Sequence, residues 1–248
     1  MYTSNLVLLS NQLALSRSMD VVANNVANAN TSGFKREGIE FDTLVNRTSP
    51  QRTINFVFDR ATYRDASTGP IEATHNPLDL AIQGSGYFQV QTPDGSTRYT
   101  RAGSFTLNSS GELTTQAGYP VLGDGGQPVT IPESASQINV SGDGFITARV
   151  GSEAALAQLG KIGVVNFANE AGLEAIGNGL YAASEAPQPS ASGSIVQGAL
   201  EQSNVQPVTE ITNMIKIMRA YEQSASLIGQ SNTLQKEAIA RLSKTSLS

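Results

Sequence analysis

The chain has 248 residues, 39% hydrophobic and 15% charged, with 23 glycines, one histidine, no cysteine, no tryptophan and a formal net charge of −5. Such a composition suits a turn-rich β protein or a fibre subunit, and it excludes disulfides, thiol catalysis and thiolate metal sites. The acidity is concentrated in residues 66–206, which hold 4 Lys/Arg against 12 Asp/Glu; this argues against a nucleic-acid partner, whose phosphates require a basic face.

The N-terminal stretch carries one short apolar run, Leu6 to Leu9, no cation before Arg17 and no Ala-x-Ala pattern, so no cleaved secretory signal is expected. No apolar run approaches the roughly 20 residues that span a bilayer, so direct membrane insertion is not expected either. Residues 1–33 are predicted helical. Leu8, Leu15, Val22 and Ala29 fall on one heptad position and Gln12, Met19 and Val26 on the other, which describes an apolar seam. Leu6, Leu9 and Leu13 widen it, and only Arg17 and Asp20 are charged in the first 30 residues. A solvated helix back normally carries more charge, which points to a helix covered on several sides in its final state.

The stretch ANNVANANTSGFKR, residues 23–36, places Asn24, Asn25, Asn28 and Asn30 where that helix ends. These amides offer donors and acceptors without charge, suited to a crowded contact between copies, where a lone charge is costly to desolvate. The plainer alternative is that they cap a fraying end. Thr31-Ser32-Gly33 is expected to stop the helix with Gly33 as a left-handed cap. Phe34 would then dock the departing chain while Lys35 and Arg36 reach outward.

Residues 34–75 read as an extended linker or β segment, with alternation setting in from Ile54. Residues 76–185 read as a β-rich outer domain. Strands are predicted near Tyr87–Gln91, Thr97–Thr100, Ser104–Leu107, Glu112–Thr115, Tyr119–Leu122, Gln137–Ser141, Phe145–Ala148, Lys161–Phe167 and Leu180–Ala183, divided by Asp-Gly, Ser-Gly and related turns. Phe88 and Val90 on one strand face, with Phe105 and Leu107 on another, are the expected small core. A short helix is predicted at 152–159, and APQPSASGS opens a linker over 186–206.

Residues 207–248 are predicted as a second long helix, opened by Pro207, a good first-turn residue. Ile211, Met218, Ala225, Asn232 and Ile239 share one heptad position, and Met214, Tyr221, Ile228, Gln235 and Leu242 the other. The plain reading packs each terminal helix on an ordinary core. The sharper one pairs the two helices and completes their burial with other copies. Ordering a residue costs roughly 1–2 kcal/mol of backbone entropy, and burying a Leu, Ile or Met gains roughly 1.5–3 kcal/mol. With about one seam residue in three or four, a single pairing only breaks even, so these ends are expected to order on assembly. The fold class expected is therefore α+β: long N- and C-terminal helices pairing as a coiled-coil-like module, with a β-rich middle domain of short antiparallel strands.

Catalytic signals are sparse. His75 stands alone and reads as a loop residue, so neither a histidine metal cluster nor a serine triad can form around a second histidine. The stretches Gly84-Ser85-Gly86 and Gly123-Asp124-Gly125-Gly126 lack a phosphate-loop lysine and dinucleotide-binding spacing. No catalytic, cofactor or metal residue and no small-molecule substrate are expected. Two readings from other classes stay open on the residues alone: a β-rich surface adhesin or carbohydrate-binding module whose helices oligomerise it, and a carboxylate-dependent hydrolase.

Three stretches line up with one family in its own order. ANNVANANTSGFKR, NPLDLAIQGSGYFQVQTPDGSTRYTRAGSFTLNSSGELTTQAGYPVLG and GALEQSNVQPVTEITNMIKIMRAYE resemble the signatures of the bacterial flagellar basal-body rod family. Length, the start LVLLSNQLALSRSMDVVANN and the segment ATHNPLDLAIQGSGYF are most similar to proximal rod members, while distal rod members share the same signatures. The resemblance implies a non-enzymatic axial subunit in the periplasmic rod, with paired terminal helices lining the tube and the β domain outside. It implies copies of itself and neighbouring rod proteins as partners, and export by the flagellar type III apparatus. The assembly-interface residues it points to are Leu8, Leu15, Met19, Val22, Asn24, Asn25, Val26, Asn28, Gly33, Phe34, Ile211, Met214, Met218, Tyr221, Ile228, Ile239 and Leu242.

Overall fold

The computed structural model describes residues 2–49, 52–151, 156–189 and 193–245. In chain order the elements are α1 (Tyr2–Ala27), β1 (Glu37–Ser49), β2 (Arg52–Arg64), β3 (Ile71–Ala73), β4 (Leu80–Gln83), β5 (Tyr87–Gln91), β6 (Thr97–Thr100), β7 (Phe105–Leu107), β8 (Leu113–Thr115) and β9 (Ala135–Val140). There follow β10 (Phe145–Val150), β11 (Leu156–Lys161), β12 (Val164–Asn166), β13 (Leu173–Gly177), β14 (Leu180–Ala183), β15 (Gln188–Pro189), β16 (Ser194–Gln197), β17 (Ala199–Glu201) and α2 (Pro207–Thr245). The architecture is α+β, with a helix at each end and a middle of short antiparallel strands. Two compact units divide it: α1, the β1–β2 hairpin and α2 form one, and residues 28–36 with 66–205 form the other.

In the first unit, α1 runs 26 residues and α2 39. Two serines inside α1 are satisfied by the helix itself: Ser10 Oγ donates to the Val7 carbonyl at 2.8 Å and Ser18 Oγ to the Ala14 carbonyl at 2.9 Å, so these two occupy the helix without orphaned hydroxyls. The two helices touch, and α1 also contacts both hairpin strands. The hairpin register runs from Glu37↔Arg64 to Ser49↔Arg52, with irregularities at Glu40/Phe41 and Arg47/Ser49. Gly38 pairs with Tyr63, and a Cβ there would lie 2.5 Å from the Tyr63 ring. The missing side chain is what lets the ring lie across the strand.

The second unit is built on a six-stranded sheet in the order β13-β14-β6-β5-β12-β15. Strand alternation sends Phe88, Val90 and Leu180 to the larger core, where they meet Leu80, Ile82, Phe105, Leu113, Ile131, Ile146, Ile162 and Ile195. Tyr87 and Tyr181 point to the opposite face and join Tyr99, Val165, Phe167 and Leu173 in a second cluster. Ring pairs there stand edge-on, with centroids from 4.7 Å for Tyr99–Phe167 to 5.9 Å for Tyr87–Phe167. Such geometry sets the ring edge of one aromatic on the face of the other. A three-stranded sheet β11-β10-β9 and the pairs β16-β4, β17-β3 and β7-β8 complete the unit.

Several expectations are corrected. Helix α1 stops at Ala27, not at Gly33, and Asn28 to Asn30 form a turn. The short helix expected at 152–159 is overturned where described: Leu156–Lys161 is strand β11, because backbone pairing from Phe145↔Lys161 to Arg149↔Leu156 overrides the local Ala/Leu preference. Residues 152–155 lie outside the described residues. Leu107 is not core, being exposed while its neighbour Phe105 is fully buried. The segment expected as a linker over 186–206 contributes β15, β16 and β17, each hydrogen-bonded into the second unit.

Candidate assembly interface and its buried ionic joint

The helix pair of the first unit leaves several large apolar side chains exposed. On α1 the predicted seam residues Leu8, Leu15, Met19, Val22 and Val26 are half-buried, while Leu6, Leu9 and Leu13 are exposed, Leu13 at 64%. On α2 the row Met214, Tyr221 and Ile228 is half-buried. Its companion row in the chain's own packing is displaced by one residue from the predicted one. Glu210 and Ser224 are buried and Ile217 and Ser231 half-buried, whereas Ile211, Met218, Ala225 and Asn232 are exposed. Ser224 explains the choice: its small side chain fits the contact, and its Oγ donates to the Leu8 carbonyl of α1 at 3.4 Å. The displaced row thus stays open, together with Val208 at 79%, Ile215, Leu227 and Leu234 at 64%. Ile239 and Leu242 belong to α2, and their side chains lie outside the described residues.

The asparagines divide. Asn25 is completely buried and its amide brackets one backbone position of β1, Nδ2 donating to the Glu37 carbonyl at 2.8 Å and Oδ1 accepting the Glu37 N–H at 2.9 Å. It serves the chain's own fold, holding the start of the hairpin. Asn24 is exposed and Nδ2 reaches Glu37 Oε2 at 3.3 Å. In the second unit Asn28 accepts from Thr31, through its carbonyl from the backbone N–H at 3.1 Å and through Oδ1 from the hydroxyl at 3.2 Å.

Gly33 does take a left-handed conformation, at φ 73°, but six residues beyond the helix end. Glycine is required there on a second count as well: a Cβ would stand 2.5 Å from both Ala102 N and Arg101 C. Phe34, half-buried, follows, its N–H donating to the Thr31 carbonyl at 3.2 Å. Lys35 overturns the outward reading. It is 2% exposed, and its Nζ donates to Glu201 Oε1 at 2.6 Å and to the Ser67 carbonyl at 2.7 Å.

Glu201, itself 1% exposed, is the hub of the second unit's base. Its Oε1 also accepts the Gly69 N–H at 3.0 Å, its Oε2 lies 3.5 Å from Arg101 Nη1, and its carbonyl accepts the Gly33 N–H at 2.8 Å. Arg101 donates through Nη2 to the Gly84 carbonyl at 2.8 Å and lies 5.3 Å from the centroid of the Tyr87 ring, whose hydroxyl donates to Glu170 Oε2 at 3.3 Å. Asn204 ties the next layer, accepting the Arg36 N–H at 2.7 Å and donating to the Ser67 carbonyl and hydroxyl at 3.0 Å each. Burial pulls the Lys35 ammonium below the ordinary lysine range; its hydrogen bond to Glu201 opposes the shift and the nearby Arg101 charge adds to it. Removing one member of such a buried pair costs about 3–5 kcal/mol, since the partner charge stays desolvated.

The three sequence signatures therefore converge inside one unit: Gly33 to Arg36 from the first, Arg101 to Gly103 from the second, and Glu201 to Val205 from the third. Lys35 and Arg101 lie in the quoted motifs, but only the fold shows that a carboxylate far along the chain joins them. Most polar atoms of this joint are committed to protein partners, Lys35 Nζ, Glu201 Oε1 and Arg101 Nη2 by hydrogen bonds and Glu201 Oε2 by the Arg101 charge at 3.5 Å, while Glu201 Oε2 and Arg101 Nε make no hydrogen bond. Among the described residues no group of three or more His, Asp or Glu is placed to hold a metal, and no helix is long and apolar enough to cross a membrane. A groove of about 440 Å³ is lined by Asp124, Asp143, Phe145 and Lys161, with Lys161 Nζ paired to Asp124 at 3.1 Å.

Comparison with known proteins matches the same three regions. Residues 7–35 match the family described as flagella basal body rod protein, residues 81–148 the flagellar hook protein FlgE/F/G D1 domain, and residues 196–241 the flagellar basal body rod FlgEFG protein C-terminal region. The flagellar basal-body rod protein FlgF of Caulobacter vibrioides is 42% identical, over 95% of this chain and 96% of the relative. FlgF of Mesorhizobium japonicum is 37% identical over 99% and 100%. The flagellar basal-body rod protein FlgG of Agrobacterium fabrum is 38% identical over 85% and 88%. With this identity sustained from end to end, on a fold whose signature residues meet as described, the chain belongs to the flagellar basal-body rod protein family.

Proposed function

We propose that this structural subunit of the flagellar basal-body rod polymerises through its two terminal helices, which pair in coiled-coil fashion and are completed by copies of the same chain and by adjoining rod proteins. The observation that carries this is the open apolar surface on both helices: Leu6, Leu9 and Leu13 on α1, and Ile211, Ile215, Met218, Leu227 and Leu234 on α2. Rows at this spacing belong inside a helical packing, and a helix that leaves them wet gains little from folding alone. Leu8, Leu15, Met19, Val22, Val26, Met214, Tyr221 and Ile228 form the inner seam of each subunit. The exposed rows face neighbours. Asn25 and Gly33, buried within the chain, act on the interface by fixing the elements beside it.

Placement in the proximal rod is favoured by the FlgF relatives, which align along nearly the whole chain. A distal position is the second reading, supported by the 38% identity to FlgG. The adhesin reading finds no support among these relatives. In this assignment the chain reaches the periplasm through the flagellar export apparatus and transmits torque as part of the axial tube, without catalysis.

The test replaces Leu13 and Met218 singly by glutamate. Both side chains are exposed, so the purified variants keep wild-type circular dichroism. Basal bodies isolated from cells carrying them should lack rod beyond this subunit, and the cells should be non-motile. Normal rods with either variant would reject the interface.

A further inference from the structure

We propose that Glu201 is the closure residue of the second unit, making completion of that unit's core conditional on arrival of the C-terminal strands. Lys35 and Arg101 are both buried, and the carboxylate that meets them both is Glu201, 166 residues after Lys35 in sequence. Before that carboxylate arrives, closing the unit requires burying two cations beside each other with only the Glu170 carboxylate, which acts on Lys35 through space and makes no ion pair with it, as counter-charge; this is strongly unfavourable in a low-dielectric interior.

The same segment supplies more than charge. Strand β16 is the partner of β4, whose Leu80 and Ile82 are fully buried, and Ile195 on β16 enters the larger core. Strand β17 pairs with β3, and just beyond it the Gln202 N–H donates to the Pro70 carbonyl at 2.8 Å. Ser203 and Val205 are buried. The hairpins β5–β6, β7–β8 and β9–β10 close short loops, whereas these contacts close loops of more than a hundred residues. Long-range closure adds entropy cost before any contact repays it. Because chains are made from the N-terminus, the unit stays open until residues 194–205 are delivered, and it is the absence of Glu201 beside Lys35 and Arg101 that makes an early closure unfavourable. This concerns one chain folding and does not depend on the assembly reading.

The test is refolding of the full-length protein from urea, followed by pulsed hydrogen exchange and mass spectrometry. Peptides within 80–150 are expected to gain protection in the same phase as 28–36 and 194–205. Glu201→Gln is expected to slow that common phase about tenfold or more while changing the unfolding rate far less. Lys35→Met, which leaves Glu201 its Arg101 partner, is expected to slow it by a smaller factor. Should Glu201→Gln yield no folded protein, Glu201→Asp, which keeps the charge but draws it back by one methylene, is read by the same two rates. Protection of 80–150 in an earlier phase than 194–205 overturns the proposal, and so does an effect that falls on unfolding alone.

Discussion

Replacing Gly33 by alanine isolates what the N-terminal signature does in the second unit. Two costs act at this position. The backbone sits at φ 73°, where a non-glycine residue costs about 1–2 kcal/mol. The new Cβ would also lie 2.5 Å from Ala102 N and Arg101 C; both are backbone atoms that cannot rotate away, and such overpacking costs about 1–3 kcal/mol. The sum is about 2–5 kcal/mol. Gly95 is the matched control: it has φ 81° and nothing within 4 Å of its Cβ position, so Gly95→Ala incurs only the first cost. The loss of unfolded-chain entropy favours alanine equally in both and cancels. Urea unfolding of each full-length variant, followed by far-ultraviolet circular dichroism, should place Gly33→Ala below Gly95→Ala by about 1–3 kcal/mol at unchanged m-value. Equal midpoints for the two would show that Gly33 is chosen for its dihedral alone and that the approach to Arg101 and Ala102 is not tight.

Asn25→Ala should cost about 1–3 kcal/mol, because it removes a buried amide and leaves the N–H and the carbonyl of the half-buried Glu37 without it; the Glu37 amide should lose hydrogen-exchange protection together with β1. Phe105→Ala, which removes a fully buried ring standing edge-on to Phe88 at 5.1 Å, should cost about 3–5 kcal/mol by the same unfolding assay. The Asp94 carboxyl is held down to about 2 from 3.8, first by the Thr92 hydroxyl and then by the Ser96 N–H and hydroxyl. Its folded value lies below the unfolded one, so its contribution to stability is present above pH 3.8 and is lost as pH falls through about 2. Carbon-detected NMR titration should find that midpoint, and Asp94→Asn should flatten the stability profile between those two pH values; a midpoint near 3.8 would refute the turn's hydrogen bonding.

Where the determinants are local, the sequence reading and the structure coincide to the residue. Strands Tyr87–Gln91, Thr97–Thr100 and Leu180–Ala183 lie as expected, since alternating side chains bounded by Gly and Asp turns leave little freedom of register. The hairpin of β1 and β2 reads only as an extended stretch, because most of its pairing partners are set by register rather than by an apolar pattern. Lys35 defeats local reasoning most completely. A lysine beside an arginine after a turn ordinarily faces water, and its burial depends on a glutamate 166 residues away. The hint lies in Glu201 itself, an isolated acid following Ala199 and Leu200 in a strand. On α2 the heptad period is legible but its phase is not: rows beginning at Glu210 and Ile211 differ by one residue, and the choice falls to Ser224, which is small enough to meet the α1 backbone.

The unequal helices of the first unit have a geometric outcome. At 1.5 Å per residue α2 is about 58 Å long and α1 about 39 Å, so about 20 Å of α2 has no length of α1 to lie beside. In the rod assembly proposed above, a contact made by that overhang on the next copy would be head-to-tail rather than self-matching. Repetition of that kind of contact does not terminate in a closed pair; it propagates as a polar helix with distinguishable ends.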